Sequence, residues 1–263
     1  NRGPDSNDFT LPVDFTPPTT NNRVAITGYE DDQEPNLGIF TEDVPTSDAS
    51  PLLIGRVTGL TPGDVVLVFS GINTSGTPLG QAITDDSGRW TLQLDGLAEG
   101  SHTFTAVIAD AAGNRGTVSG SFTLIVDLTP PFQDNTVEIT AYRDDVEPNI
   151  GDFASGVPTN DTTPLLVGRA NGLQPGDVVL IFQDGTLLGQ ANLEDSVNWT
   201  YQLATLAEGR TYTFTAVIAD AAGNRGTASA GFDIIVDSTP PTGGNSIAIT
   251  GYYDDRAPNT GDF

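Results

Sequence analysis

The amino-acid sequence predicts an all-β protein built from tandem antiparallel β-sandwiches, about seven strands each, arranged as an extended rod. Three observations carry this. The chain repeats itself with a period of 113 and then 110 residues. Apolar residues alternate with a period of two. Clusters of Gly, Pro, Asp and Asn break the runs into short segments, and no stretch carries a helical pattern.

The repeat is legible in order along the chain. The phrase FTLPVDFTPP (Phe9 to Pro18) returns as FTLIVDLTPP (Phe122 to Pro131) and FDIIVDSTPP (Phe232 to Pro241). GYEDDQEPNLGIF (Gly28 to Phe40) returns as AYRDDVEPNIGDF (Ala141 to Phe153) and GYYDDRAPNTGDF (Gly251 to Phe263). PLLIGRVTGLTPGDVVLVF from Pro51 returns from Pro164, and TFTAVIADAAGNRGT is identical at 103–117 and 213–227. The period differs because one hairpin loop, SGINTSGTPLGQ, shortens to QDGTLLGQ in the second copy, offset by one residue elsewhere. The expected organisation is a closing strand and linker at 1–18, whole repeats at 19–131 and 132–241, and an opening segment at 242–263. The sequence thus reads as a window from a longer array.

Each repeat has the size of one all-β domain. Phe104, Ala106 and Ile108 are expected on a buried face opposite Thr103 and Thr105. Trp90, Leu92 and Leu94 alternate with Thr91 and Gln93, and Trp199, Tyr201 and Leu203 do the same in the second copy. Trp90 and Trp199 are the expected core anchors. Pro62-Gly63-Asp64, Asp85-Asp86-Ser87-Gly88 and Gly113-Asn114 mark turns. The paired prolines of Asp127-Leu128-Thr129-Pro130-Pro131 fix two φ angles and predict a stiff linker.

Composition excludes several functions. The formal charge is −25, from 35 acidic residues and 10 basic ones, all Arg. Such a chain lacks the clustered cations that hold a phosphate backbone, so no nucleic-acid partner is expected. No Cys means no disulfide framework, thiolate zinc site or cysteine nucleophile. The one histidine, His102, aligns with Tyr212, which assigns it a surface strand position instead of a metal. No apolar run approaches the roughly 18 residues that span a bilayer. Carboxylate pairs are many, but each candidate is copied in both repeats, so no enzyme is expected.

The charge belongs to the repeats. Residues 19–131 hold 14 acids and 4 Arg, and 132–241 hold 15 acids and 4 Arg. Asp31 and Asp32, with Glu30 and Glu34, crowd carboxylates behind the first strand, and Asp144 and Asp145 repeat the pair. In a sandwich with Ig-like strand order, that loop and the outgoing linker residue share one pole. The next repeat presents its Asp-Ala-Ala-Gly-Asn loop to the same pole. Asp31, Asp32, Asp127 and Asp220 are therefore expected to meet at one junction, with Glu99 joining them. Unneutralised, such crowding is unfavourable, and a hard cation with six to eight oxygen ligands relieves it. Calcium suits flexible carboxylate loops better than magnesium. Turn chemistry alone also explains single Asp residues, and Asp64, Asp177 and Asp85-Asp86 are read as turns. Asn36 and Asn149 fit either a carbonyl ligand or a turn cap.

The VDxTPP junction, the PLLxGRxxGL strand, the TFTAVIADAAGN strand and loop, and the Trp before the fifth strand together resemble bacterial Ig-like repeats. They are similar to the extender arrays of giant surface adhesins exported by type I secretion, including the biofilm-associated protein family. The resemblance covers nearly the whole chain. It implies tandem Ig-like sandwiches forming a calcium-stiffened stalk on the bacterial cell surface, which serves adhesion and biofilm formation. It assigns calcium best to Asp31, Asp32, Asp127, Asp144, Asp145 and Asp237. Asp110, Asp220, Glu99, Glu208, Asp254 and Asp255 complete the candidate set. Adjacent repeats of the same chain are the expected partners. Two other readings stand beside the stalk: self-association with other copies in a biofilm matrix or filament, and a module whose loops bind a glycan or host protein.

Overall fold

The computed structural model describes residues 10–18, 21–131, 135–241, 246–254, 256 and 261–262. Within them every regular element is a strand, so no helix is long and apolar enough to cross a membrane.

Repeat 1 runs β1 (Arg23–Asp31), β2 (Gly38–Phe40), β3 (Pro45–Thr46), β4 (Leu52–Thr58), β5 (Val65–Ser70), β6 (Gly80–Gln81), β7 (Ile83–Thr84), β8 (Arg89–Gln93), β9 (Gly100–Ala109) and β10 (Phe122–Val126). Two five-stranded sheets result, ordered β2-β1-β4-β8-β7 and β3-β10-β9-β5-β6. Repeat 2 copies them from β11 (Thr136–Asp144) through β12 (Gly151–Phe153), β13 (Pro158–Thr159), β14 (Leu165–Asn171), β15 (Val178–Gln183), β16 (Thr186–Gln190), β17 (Asn192–Leu193), β18 (Asn198–Gln202), β19 (Thr211–Ala219) and β20 (Phe232–Val236). Ten strand segments per repeat replace the expected seven because the sheet edges are closed by short pieces, most of two or three residues. Short edges limit unwanted pairing with other chains. One edge pair is parallel: β3 runs alongside β10, and β13 alongside β20. That pairing returns the β2–β3 connection to the pole where the chain leaves for the next repeat.

The faces that meet between the sheets form one core per repeat. Trp90 with Tyr29, Leu53, Val66, Phe104, Phe122 and Leu124 fills the first. Trp199 with Tyr142, Leu166, Val179, Phe214, Phe232 and Ile234 fills the second. Gly55 and Gly168 in the PLLxGR phrase lie under the indole rings, where a Cβ would overlap Trp90 or Trp199. A pairwise constraint of glycine and tryptophan thus underlies that phrase.

Two expectations change. Thr105 and Val107 are buried along with Phe104, Ala106 and Ile108. The second half of β9 is covered on both faces, where Arg115 lies over the Phe69 ring at 4.7 Å. In repeat 2 the outer face holds its own cluster of Leu180, Phe182, Val217 and Ala219. Nor is the His102 position a free surface site. Tyr212 there is only 4% exposed, with its hydroxyl accepting from the Ala207 N–H. His102 Nε2 contacts the Ala98 carbonyl at 2.7 Å.

Candidate functional site

The pole of repeat 1 is assembled from the end of β1, the turn after it, the segment after β3 and the exit of β10. Asp31, 2% exposed, closes β1. Its Oδ1 accepts the Gln33 N–H at 2.8 Å and its Oδ2 accepts the Thr46 hydroxyl at 2.5 Å. Asp32 is exposed, and its Oδ1 accepts from Gln33 Nε2 at 2.6 Å. Asp127 continues β10 and donates its N–H to the Thr46 carbonyl at 2.9 Å. Its Oδ1 accepts the Thr129 N–H at 3.0 Å, an Asx turn that starts the linker.

A carboxylate outside the expected set lies among these. Asp48 is 5% exposed. Its N–H donates to Thr46 Oγ1, its Oδ1 accepts the Ser50 N–H at 2.7 Å, and its Oδ2 is buried without a hydrogen-bond partner. Burial pushes the Asp48 carboxyl above its ordinary range. The charges of Asp31 and Asp32 push the same way, against the Ser50 N–H bond and the nearby Asp32 amide. Burial, then the charges of Asp31 and Asp48, likewise push the Tyr29 hydroxyl upward. That hydroxyl donates to the Val44 carbonyl at 2.9 Å. The signal that would have found Asp48 is the spacing: Asp48 and Asp161 each stand seventeen residues after Asp31 and Asp144, inside Pro-Thr-x-Asp.

The loop of repeat 2 sits on this pole. Asn36 Nδ2 donates to the Ala221 carbonyl at 3.1 Å, and the Ser47 N–H donates to the Ala222 carbonyl at 2.9 Å. Asn224 Nδ2 donates to the Asp127 carbonyl at 2.8 Å, tying loop to linker. Gly223 has φ +94, and a Cβ there would press on Pro35 and Asn36. Arg225 pairs with Glu34 at 3.4 Å and lies over Phe182. Asp220 braces the loop from within, accepting the Ala222 and Asn224 N–H groups at 2.9 Å each. Burial pushes its carboxyl up, with the Asp127 charge adding to the rise.

Asp31, Asp32 and Asp48 thus form one group, Asp127 and Asp220 another, and Thr46 bonds to Asp31 on one side and Asp127 on the other. Among the described residues no group of three or more acidic or histidine side chains is gathered tightly enough to hold a metal ion unaided. Glu99 is engaged elsewhere: both its oxygens accept the Thr129 hydroxyl at 2.9 Å. Glu208 likewise accepts from Ser238 and Thr239, bonds that hold its carboxyl below the usual range. These two glutamates clamp the linkers. Asp110 is bonded within its own loop, and the Asn114 side chain leads in holding its carboxyl low.

The pole of repeat 2 has the same internal frame. Asp144 accepts the Val146 N–H and the Thr159 hydroxyl, Asp161 is buried, Asp145 and Asp237 are exposed, and the Asp237 N–H donates to the Thr159 carbonyl. Asp254 ends a two-residue strand, and Asp255 lies outside the described residues.

The donor set fits a hard cation in one respect. An all-oxygen cluster includes a buried carboxylate oxygen that nothing else satisfies, and such an atom is costly without a partner. Main-chain carbonyls and water would have to complete the shell.

A family model for the bacterial Ig-like domain matches residues 24–128 and 137–238. No curated protein matches the sequence. Among solved structures, the chain is similar to the fibronectin(III)-like modules of CbhA from Clostridium thermocellum. They are 19% identical, with 81% of this chain and 94% of that one covered, and a TM-score of 0.46. It is similar also to a tetra-tandem repeat in the extending region of a large adhesion protein, at 19% identity over 75% and 48% of the chains and a TM-score of 0.27. An I-band fragment of titin, I67–I69, follows at 14% identity over 82% and 65%, with a TM-score of 0.29.

Proposed function

We propose a load-spacing role for this chain, which belongs to the bacterial Ig-like domain family: it is a segment of a stiff extender that holds a binding domain away from a bacterial cell surface. The observation that carries the reading is the seated loop. Residues 221–225 of repeat 2 make main-chain, side-chain and ionic contacts with repeat 1, so the junction is more than a tether. The diproline linker and its Glu99 clamp limit the same hinge.

Calcium is the proposed stiffener at each pole. At the first, Asp31, Asp32 and Asp48 would hold the ion together with main-chain carbonyls and water, and at the second, Asp144, Asp145 and Asp161 likewise. The ion would supply positive charge where each pole concentrates carboxylates. Secretion by a type I route and service in adhesion or biofilm follow from the resemblance of the repeats to adhesin extenders.

The test is small-angle scattering and thermal unfolding of the chain with calcium and with excess EDTA. Calcium should lengthen the maximum dimension, narrow the conformational spread and raise Tm. Identical profiles and melting curves in both conditions would overturn the calcium-stiffened stalk.

A further inference from the structure

The sheet β2-β1-β4-β8-β7 of repeat 1 turns Leu53 and Trp90 into the core, so their neighbours Ile54 and Thr91 point outward. Residues opposite one another across strands share a face. Gly28, Ile54, Thr91 and Ile83 therefore form one row across the outer face. Ile39 extends it at the other edge, where a Cβ on Gly28 would lie 3.6 Å from Ile39 Cγ2. The row thus ends in two large apolar side chains, Ile39 at 63% and Ile83 at 78% exposed.

Two residues along the strands the same face turns basic. Arg56 and Arg89 stand directly opposite one another. Arg23 lies on the same side, two residues from Ala25, the partner of Arg56. These are three of the four Arg of repeat 1, and none forms an ion pair with a described carboxylate. Asp85, in the adjoining turn, directs one oxygen to the Ser87 and Arg89 N–H groups. Like charges set opposite each other destabilise a sheet, yet a chain of net charge −25 gathers cations here.

Repeat 2 builds the same face differently. Asp152 replaces Ile39 and pairs with Arg143. Asn192 replaces Ile83, and Asn198 replaces Arg89. Glu138 replaces Ala25 and stands opposite Arg169. Glu194 reaches the face as well, accepting the Thr200 hydroxyl at 2.8 Å. One face is apolar and positive, and its counterpart is polar and bears carboxylates.

We propose that the outer β2-β1-β4-β8-β7 face of repeat 1 is an interaction surface, and that its occupant is a second copy of this chain presenting the corresponding face of repeat 2. Charge selects this pairing. Two repeat 1 faces would set Arg against Arg, whereas Glu138, Asp152 and Glu194 complement the three cations. Exposed Ile39 and Ile83 supply the apolar area that a charged contact alone lacks, and Arg is a favoured interface residue. Five strands, each about five residues long, cover roughly 24 by 17 Å, or about 400 Å². That is about half of the roughly 800 Å² per partner in a stable complex. A single contact is therefore weak, and repetition along neighbouring arrays strengthens it.

The test is sedimentation equilibrium and light scattering over a concentration series in excess EDTA, which makes the result independent of the calcium reading. Apparent mass should climb with concentration. The double variant Ile83→Asn with Arg89→Asn gives repeat 1 the residues that repeat 2 carries at those positions, and Glu138→Ala makes the reverse exchange. Each should weaken association about tenfold or more, the effect of losing one important interface group, while thermal unfolding checks that both repeats stay folded. The chain has no Cys, so Thr91→Cys and Thr200→Cys can be carried on separate copies and joined by a short bis-maleimide. The mixed pair should form several-fold in excess of either like pair. A chain that stays monomeric at every concentration would overturn the proposal, as would association unchanged by both exchanges or cross-linking without preference. Binding of an anionic polysaccharide to the three Arg without self-association would overturn the second copy as occupant.

Discussion

The loops at 110–115 and 220–225 have the same sequence, Asp-Ala-Ala-Gly-Asn-Arg, and live in different surroundings. Within each, the aspartate accepts the same two backbone N–H groups, and the asparagine reaches back to a linker carbonyl, Asp14 in one and Asp127 in the other. Beyond this shared frame they diverge. Ala112 and Gly113 are exposed, whereas Ala222 is 1% exposed and Gly223 is buried against Pro35 and Asn36. Asp110 has its carboxyl lowered by hydrogen bonds, chiefly from Asn114, and Asp220 has its carboxyl raised by burial. Local sequence sets the loop's shape, and the neighbouring repeat sets its chemistry.

The largest break in this comparison comes from one substitution made twice. Ala222→Arg forces a long cation into a closed contact, where overpacking costs about 1–3 kcal/mol. The junction should open, with hydrogen exchange at the Ser47 amide at least about tenfold faster. Ala112→Arg at the exposed twin should leave Tm and exchange unchanged, within the roughly ±0.5 kcal/mol of ordinary surface changes.

Gly113→Ala and Gly223→Ala give a smaller contrast. Both residues have positive φ, +87 and +94, so each substitution should cost about 1–2 kcal/mol of strain by chemical unfolding. Only the second places a Cβ against another repeat, so it alone should also increase flexibility in small-angle scattering.

Acid titration sharpens the pair further. A carboxyl raised in the folded state weakens folding above that raised pKa, and the penalty disappears as pH falls through it. A lowered carboxyl contributes stability above its ordinary pKa of 3.8, lost as pH falls through the folded value. In metal-free protein, carboxyl NMR should therefore find Asp220 titrating above 3.8 and Asp110 below it. Mild acidification should favour the docked 220–225 loop while the 110–115 loop gains nothing. Equal values for the two would erase the electrostatic part of the contrast.

The smallest effect is expected at the Arg225–Glu34 pair, whose side chains are 34% and 59% exposed. Glu34→Gln should cost under about 1 kcal/mol and little junction rigidity, because water and salt screen such pairs.

Much of the fold is legible in the chain itself. Alternation at Trp90 and Leu94 marks a half-buried strand, and both side chains are buried. Asp85 and Asp64 behave as the turn residues they resemble, the first accepting from Ser87 and Arg89 and the second from Thr61. The site is less legible. Period-two reasoning leaves Thr105 outside, yet it is buried, with its hydroxyl donating to the Gly71 carbonyl thirty-four residues away. Glu99 reads as one more junction carboxylate, yet it bonds to a linker hydroxyl thirty residues away. Asp48 stands outside the expected set, although the Thr46 hydroxyl, which donates to Asp31 and accepts the Asp48 N–H, brings it beside Asp31.

By itself the sequence determined the repeat, by comparison of its own phrases, and the strands, the turns and the crowding of carboxylates behind the first strand of each repeat, because these follow from neighbours within a few residues. Only the tertiary structure decided which carboxylates share a pole, which are occupied as clamps, and which of two identical loops is sealed. Burial and electrostatic shifts depend on groups distant in sequence, as between Asp127 and Asp220 or Asn36 and Ala221, and no local pattern carries that information.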